Sequence, residues 1–195
     1  MRQNRKNKRF VYLISPNKIK NKDFYNKLHQ VLSSKKVGFF QLRLKKENIR
    51  NKIFIGKKIK KICKKYQVKF LINDDPMLAK KVNADGCHLG QKDMNILKAR
   101  KILKNKIIGI TCHNSMNLAK KAVADGASYL AFGAFYSSKT KKVKYKASLK
   151  ILSLAKKLTN TPIVAIGGIK DTNYKKLLLN KANFLAISSY IWNNK

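Results

Sequence analysis

The chain has 195 residues, 44% of them apolar, which suits one domain able to bury a core without disulfides. Its 46 Lys and Arg against 8 Asp and Glu give a net charge of +38, yet the only arginines are Arg2, Arg5, Arg9, Arg43, Arg50 and Arg100, and the lysines run along the whole chain. That pattern argues against a concentrated, arginine-rich nucleic-acid reader and fits a solvated surface that helps attract anionic substrates. Residues 1–9 are basic and read as a disordered lead-in to a domain over 10–195. The apolar stretch Phe10-Val11-Tyr12-Leu13-Ile14 behind them is too short for a signal-peptide core. No run reaches the roughly 18 apolar residues of a membrane span, so a cytoplasmic protein is expected. Further along, short apolar runs at 10–15, 38–44, 69–73, 86–89, 107–112, 129–135, 162–167 and 183–191 alternate with longer, lysine-rich amphipathic stretches. Apolarity in the runs is continuous, as in strands buried on both faces.

The stretches between them carry helical spacing. Leu118, Ala119, Ala122 and Val123 share one face within 114–125, and Leu149, Leu152, Leu154, Ala155 and Leu158 share another within 147–159. Asp171-Thr172-Asn173 reads as a helix N-cap. Ala84-Asp85-Gly86, Ala124-Asp125-Gly126 and Ala182-Asn183 recur before three of the runs, like turns that end a helix and start a strand. Eight strand-then-helix units predict a single, compact (β/α)8 TIM barrel with short loops and a short or missing last helix. An open doubly wound sheet is the rival. It calls for a Gly-rich turn after the first strand, and Ser15-Pro16-Asn17-Lys18 is not one. Cys63, Cys87 and Cys112 form no CxxC pair, which argues against a disulfide framework and structural zinc.

Barrels of this kind place their chemistry at the C-terminal ends of the strands. Polar residues gather there from many strands: Gln41, Arg43 and Lys45; Asn73, Asp74 and Asp75; Gln91 and Asp93; Thr111 and His113; Ser137 to Lys141; Gly167 and Gly168; Ser188 and Ser189. With eight acidic residues in all, Asp74, Asp75 and Asp93 falling close together stands out, although Asp75 and Asp93 could equally be helix caps. Asp74 and Asp93 on neighbouring strands suit a Mg2+ that keeps waters and takes phosphate oxygens. Arg43, Lys45 and Lys141 suit anionic oxygens, Arg43 as a fork and the lysines as point charges. Gly167-Gly168 and Ser188-Ser189 fall where barrels bind a phosphate through backbone N–H groups. Two phosphate subsites are expected, one metal-assisted and one metal-free. His88 reads as a packed core histidine, and His113 is open between packing and acid–base work.

These residues resemble the motifs of thiamine phosphate synthases. Gln41-Leu42-Arg43-Leu44-Lys45 is similar to that family's Gln-x-Arg-x-Lys, Leu71-Ile72-Asn73-Asp74-Asp75 to its Ile-Asn-Asp, and the segment Ala84-Asp85-Gly86-Cys87-His88-Leu89-Gly90-Gln91-Lys92-Asp93 to its Ala-Asp-Gly-Val-His-Leu-Gly-Gln-x-Asp. Ile108 to His113, Gly133 to Lys141 and Val164-Ala165-Ile166-Gly167-Gly168-Ile169 follow in order, and the similarity runs from Tyr12 to Trp192. The resemblance implies an enzyme that joins hydroxymethylpyrimidine diphosphate to a thiazole phosphate, releasing diphosphate and forming thiamine phosphate. It implies Mg2+ on Asp74 and Asp93; the diphosphate on Gln41, Arg43, Lys45, Asn73 and Lys141; Thr111 beside the diphosphate or pyrimidine; and the thiazole phosphate on Ser138, Thr140, Gly168, Ser188 and Ser189. Of these, Arg43, Lys45, Thr111 and Lys141 are the expected catalytic residues. The chain departs from the family at Leu44 (often Glu), Thr111 (usually Ser), Ser137-Ser138 (Pro-Thr), Phe184 (often Gly) and Ser188 (usually aliphatic).

Two other functions compete. A thiazole tautomerase-like relative would move a proton with His113 and need neither metal nor diphosphate. A basic nucleic-acid-binding barrel would leave the polar rim without a role. The expected partners are therefore small-molecule substrates, with no specific nucleic acid and no membrane; the sequence does not set an oligomeric state.

Overall fold

The computed structural model describes residues 9–19, 22–137 and 145–193. The strands are β1 (Val11–Ile14), β2 (Val37–Leu42), β3 (Lys69–Asn73), β4 (Gly86–Leu89), β5 (Ile107–His113), β6 (Tyr129–Gly133), β7 (Ile163–Ile166) and β8 (Phe184–Ile187). Between and after them lie α1 (Lys22–Ser33), α2 (Ile49–Lys65), α3 (Pro76–Lys81), α4 (Ile96–Leu103), α5 (Met116–Ala124), α6 (Lys150–Leu158), α7 (Tyr174–Leu179) and α8 (Ser189–Asn193). All neighbouring strands pair in parallel, and β8 returns to β1, so the sheet closes in chain order into the expected (β/α)8 barrel. Most of the N-terminal lead-in lies outside the described residues. No described helix is long and apolar enough to cross a membrane.

Alternation along each strand explains the unbroken apolar runs. Successive side chains point to opposite faces. Tyr12 and Ile14 of β1 join Leu71, Tyr129, Ala131, Val164 and Ala186 inside the barrel. Leu13, between them, joins Phe40, Ile72, Ile108 and Leu185 in the larger layer under the helices. Both faces are dry, so neither tolerates a polar residue without a partner. Phe184, one of the family departures, opens β8 and packs its ring 4.9 Å from Phe39 inside the barrel. It sits at the opposite end of the strand from Ser188, away from the rim where substrates are expected.

Caps and turns set the boundaries. The side chains of Asn48, Asp75, Asn95 and Ser115 accept from the first-turn N–H groups of α2, α3, α4 and α5. Asp75 is thus the cap allowed for it, whereas the cap of α4 is Asn95 and Asp93 is released for other work. Asp85 explains its turn motif: its carboxylate accepts from Phe70 N at 2.8 Å and from Lys60 Nζ at 2.7 Å. Asn173 stands at the N-cap of α7 but makes no capping bond. Its amide instead accepts from Lys170 N and donates to Gly168 O, bracing the turn after β7.

Five runs end earlier than expected, at β1, β2, β6, β7 and β8, and two of the ends have a clear cause. β2 stops at Leu42, because Arg43 N turns to the Ser15 hydroxyl at 2.9 Å. β8 stops at Ile187, and Ser189 opens the five-residue α8. That short helix is folded back by Trp192, whose Nε1 donates to Ile14 O at 2.6 Å and whose ring lies 5.0 Å from Phe24. Trp192→Phe keeps the ring contact and removes the donor. Its expected cost is about 1–2 kcal/mol, read as a lower urea midpoint at unchanged slope.

Candidate active site

The C-terminal ends of β2, β3 and β4 bring one polar cluster together. Gln41 is buried and donates from Nε2 to Asn73 Oδ1 at 2.6 Å, locking two neighbouring strand ends. Next comes Asp74 at φ 66°, a left-handed conformation that Asp accepts more readily than most residues, with its N–H bonded to His88 O at 2.8 Å. Lys45 Nζ reaches Asp74 Oδ2 at 3.3 Å. Asp93, beyond β4, is held by the N–H of Gly90 at 2.7 Å, and a Cβ on residue 90 would meet that carboxylate oxygen at 3.0 Å. Burial raises the Asp93 pKa above the usual carboxylate value; the Gly90 N–H opposes the rise, the adjoining Asp74 carboxylate adds to it, and Lys45 offsets it.

Two carboxylates facing each other with one lysine alongside form a ready site for a cation. Among the described residues no group of three or more His, Cys, Asp and Glu gathers anywhere. A metal on Asp74 and Asp93 would therefore complete its shell with waters and substrate oxygens, the habit of a hard, oxygen-loving dication. Arg43 follows the end of β2, with Nη1 donating to Asn17 Oδ1 at 2.6 Å. Leu44 is buried and puts no charge here; it lines, with Lys45, Asp74, Asp75 and Leu78, a cleft of about 210 Å3.

On the next strand, β5, Thr111 meets the interior. Its Oγ1 lies 2.9 Å from His88 Nε2, and its carbonyl accepts from Gln91 Nε2. His88 is buried, as its place within an apolar run predicts, and its Nδ1 lies 2.8 Å from the Tyr129 hydroxyl. His113, at the end of β5, stacks on Tyr145 with ring centroids 4.2 Å apart.

Burial lowers the His88 pKa from the ordinary 6.5 to about 4, against a small opposing pull from Asp74. Above about pH 6.5 neither the folded nor the unfolded chain protonates this ring. Between 6.5 and 4 only the unfolded chain does, so stability is lost as pH falls through that window and levels off below it. The expected loss is about 3 kcal/mol, seen as the difference in pH slope of urea stability between the natural protein and His88→Gln.

The ends of β7 and β8 form the other side of the rim. Gly167 and Gly168 have φ of 106° and 61°, and a Cβ on either would strike the segment after β6, at Ala134 Cβ (2.3 Å) and at Ser137 O (2.3 Å). The pair is therefore more than a plain turn: only glycine lets the two loops pack this closely. Ser188 donates to Ser15 O at 3.4 Å and Ser189 begins α8. Ser138, Thr140 and Lys141 lie outside the described residues.

A family model described as thiamine monophosphate synthase matches residues 11–191 of this chain, nearly the whole barrel. The chain belongs to the thiamine monophosphate synthase family. Among its relatives, a thiamine-phosphate synthase of Pelagibacter ubique is 76% identical over 195 residues, covering 100% of this chain and 94% of that protein. The thiamine-phosphate synthase of Nitrosomonas eutropha is 38% identical, with 93% of this chain and 86% of that protein covered. Among solved structures, a thiamine phosphate pyrophosphorylase from Pyrococcus furiosus superposes with a TM-score of 0.82 at 29% identity, covering 95% of this chain and 88% of that one. Thiamine monophosphate synthase family membership therefore agrees with the barrel and with the motif order in the sequence.

Three side chains that contact these residues carry no signal in the sequence. Tyr12 and Tyr129 look like ordinary core aromatics, and Asn17, which holds Arg43, lies in a loop with no motif.

Proposed function

We propose that residues 10–195 catalyse the coupling of hydroxymethylpyrimidine diphosphate with a thiazole phosphate to give thiamine phosphate and diphosphate, or with its carboxylated form to give the same products and carbon dioxide. The observation that carries the reading is the meeting of Asp74, Asp93 and Lys45 beside Gln41 and Asn73. That mixture of anions, cations and amides suits a diphosphate and a dication bound together, and it has no use in a tautomerase or a nucleic-acid binder. Mg2+ on Asp74 and Asp93 would supply fixed positive charge to the diphosphate oxygens.

The chain's own residues supply the rest. Lys45 and Arg43, with Lys141, would hold the diphosphate and stabilise the charge that grows on it as the bond to the pyrimidine methylene carbon breaks. The Gln41–Asn73 pair would orient that group, and Thr111 would present its hydroxyl from β5. The thiazole phosphate would be held at the Gly168, Ser188 and Ser189 rim, with Ser138 and Thr140, so that the thiazole nitrogen faces the methylene carbon. No general base is needed for that attack.

The test is direct. Purified protein is mixed with both substrates, with and without Mg2+, and thiamine phosphate is followed by fluorescence after oxidation. Mg2+-dependent product is expected; folded protein that makes none would overturn the reading.

A further inference from the structure

We infer that Tyr12, Tyr129 and His88 form a one-way hydrogen-bond chain through the barrel that holds His88 as the Nε2–H tautomer and commits the Thr111 hydroxyl proton to the substrate. The chain is continuous: Tyr12 OH to Tyr129 OH at 2.8 Å, Tyr129 OH to His88 Nδ1 at 2.8 Å, and His88 Nε2 to Thr111 Oγ1 at 2.9 Å. Tyr12 and Tyr129 are 1% and 2% exposed, so neither hydroxyl can turn to water.

Counting donors fixes the direction. The two tyrosines carry two hydroxyl protons, and among the described residues their hydrogen-bond partners are each other and His88 Nδ1. If Nδ1 is bare, Tyr12 donates to Tyr129, Tyr129 donates to Nδ1, and both protons are used. If Nδ1 carries a proton, in the other neutral tautomer or in the cation, Nδ1–H takes a lone pair of Tyr129. The single contact between the tyrosines then uses one hydroxyl proton and leaves the other buried without an acceptor. An orphaned buried donor is disfavoured by about fivefold to a hundredfold, which biases the ring toward the bare Nδ1. Burial also raises the pKa of both phenols, so both protons stay in place to be satisfied.

With Nδ1 bare and the ring neutral, the remaining proton is on Nε2 and is donated to Thr111 Oγ1. The Thr111 hydroxyl cannot donate back into the core, and its own proton points to whatever acceptor enters the mouth. On the proposed function, which this step assumes, that acceptor is an oxygen of the departing diphosphate. Thr111 then touches the reacting group, while His88, Tyr129 and Tyr12 are positioning residues. The usual Ser of the family and the Thr here are equivalent in this role, since each offers one hydroxyl.

Nitrogen-15 NMR of histidine-labelled protein tests the chain without any turnover. There are three histidines, His29, His88 and His113, so substitutions at His29 and His113 complete the assignment. The expected His88 signature is a protonated Nε2 and a bare Nδ1 from pH 6 to 8. In Tyr12→Phe the same tautomer should persist, because Tyr129 still donates to Nδ1. In the double variant Tyr12→Phe/Tyr129→Phe, which strips both hydroxyls and leaves neither orphaned, the second tautomer should become detectable. The double variant should also lose about tenfold in kcat with KM within about twofold of the natural protein, as expected when an orienting contact acts chiefly in the transition state. A proton on Nδ1 in the natural protein, or an unchanged single tautomer in the double variant, would overturn the chain. A natural protein that shows the Nε2–H tautomer but forms no thiamine phosphate would sink the proposed function and leave the tautomer assignment standing.

Discussion

Asp93→Asn is expected to lower Mg2+-dependent thiamine phosphate formation by about a hundredfold or more while leaving the barrel folded. Asparagine keeps an oxygen for the Gly90 N–H, so the loop after β4 should hold its shape. What it loses is one of the two negative charges that face each other at the rim. The Asp93 pKa is raised, with burial the largest cause and Asp74 a contributor, so its charge is less favourable in the folded protein than in the unfolded chain. For an acid with a raised folded pKa, stability falls as pH rises above the unfolded value. Removing the charge should therefore leave the metal-free melting temperature unchanged or slightly higher at pH 7. Activity down and stability up is the mark of a residue kept for chemistry. Full turnover in Asp93→Asn would remove the carboxylate from the mechanism, and a collapsed fold would make it a structural cap.

How much of this was legible in the sequence depends on the range of the interaction. The barrel could be read because continuous apolar runs reflect a local fact, strands dry on both faces, repeated eight times in register with helical spacing. The carboxylate pair could be read because acids are rare in so basic a chain and because strand ends are where barrels work. The strand ends themselves were misjudged at Arg43 and Ser189. In both places a group far along the chain takes part: the Ser15 hydroxyl captures Arg43 N, and the Ile14 carbonyl accepts from Trp192. Asp75 and Asp93 look alike in sequence, each preceding a helix, and only the structure shows that one caps α3 while the other faces Asp74. The interior chain was invisible for a different reason. A tyrosine within an apolar strand reports its ring, which packs like phenylalanine, and says nothing about which buried hydroxyl meets it from another strand.

Gly109 shows how tightly that interior is built, and Gly109→Ala is expected to be strongly destabilising. Gly109 pairs with Tyr129 across β5 and β6, and the tyrosine ring lies directly over it. A Cβ at residue 109 would fall 1.8 Å from Tyr129 Cζ and 2.2 and 2.3 Å from its two Cε atoms. The ring has little room to retreat, since its hydroxyl is tied to Tyr12 and His88 and its face lies against His88, with centroids 5.7 Å apart. Moving it breaks the hydrogen-bond chain and opens a void elsewhere in a closed barrel. The expected loss is about 3–5 kcal/mol, the upper range for overpacking combined with a broken buried network. Chemical denaturation measures it, and a midpoint like that of the natural protein would show that the interior relaxes freely. Combining Gly109→Ala with Tyr129→Leu separates clash from simple side-chain loss. If the clash dominates, the double variant should be more stable than Gly109→Ala alone, a coupling of opposite sign to additivity that appears only between residues in direct contact.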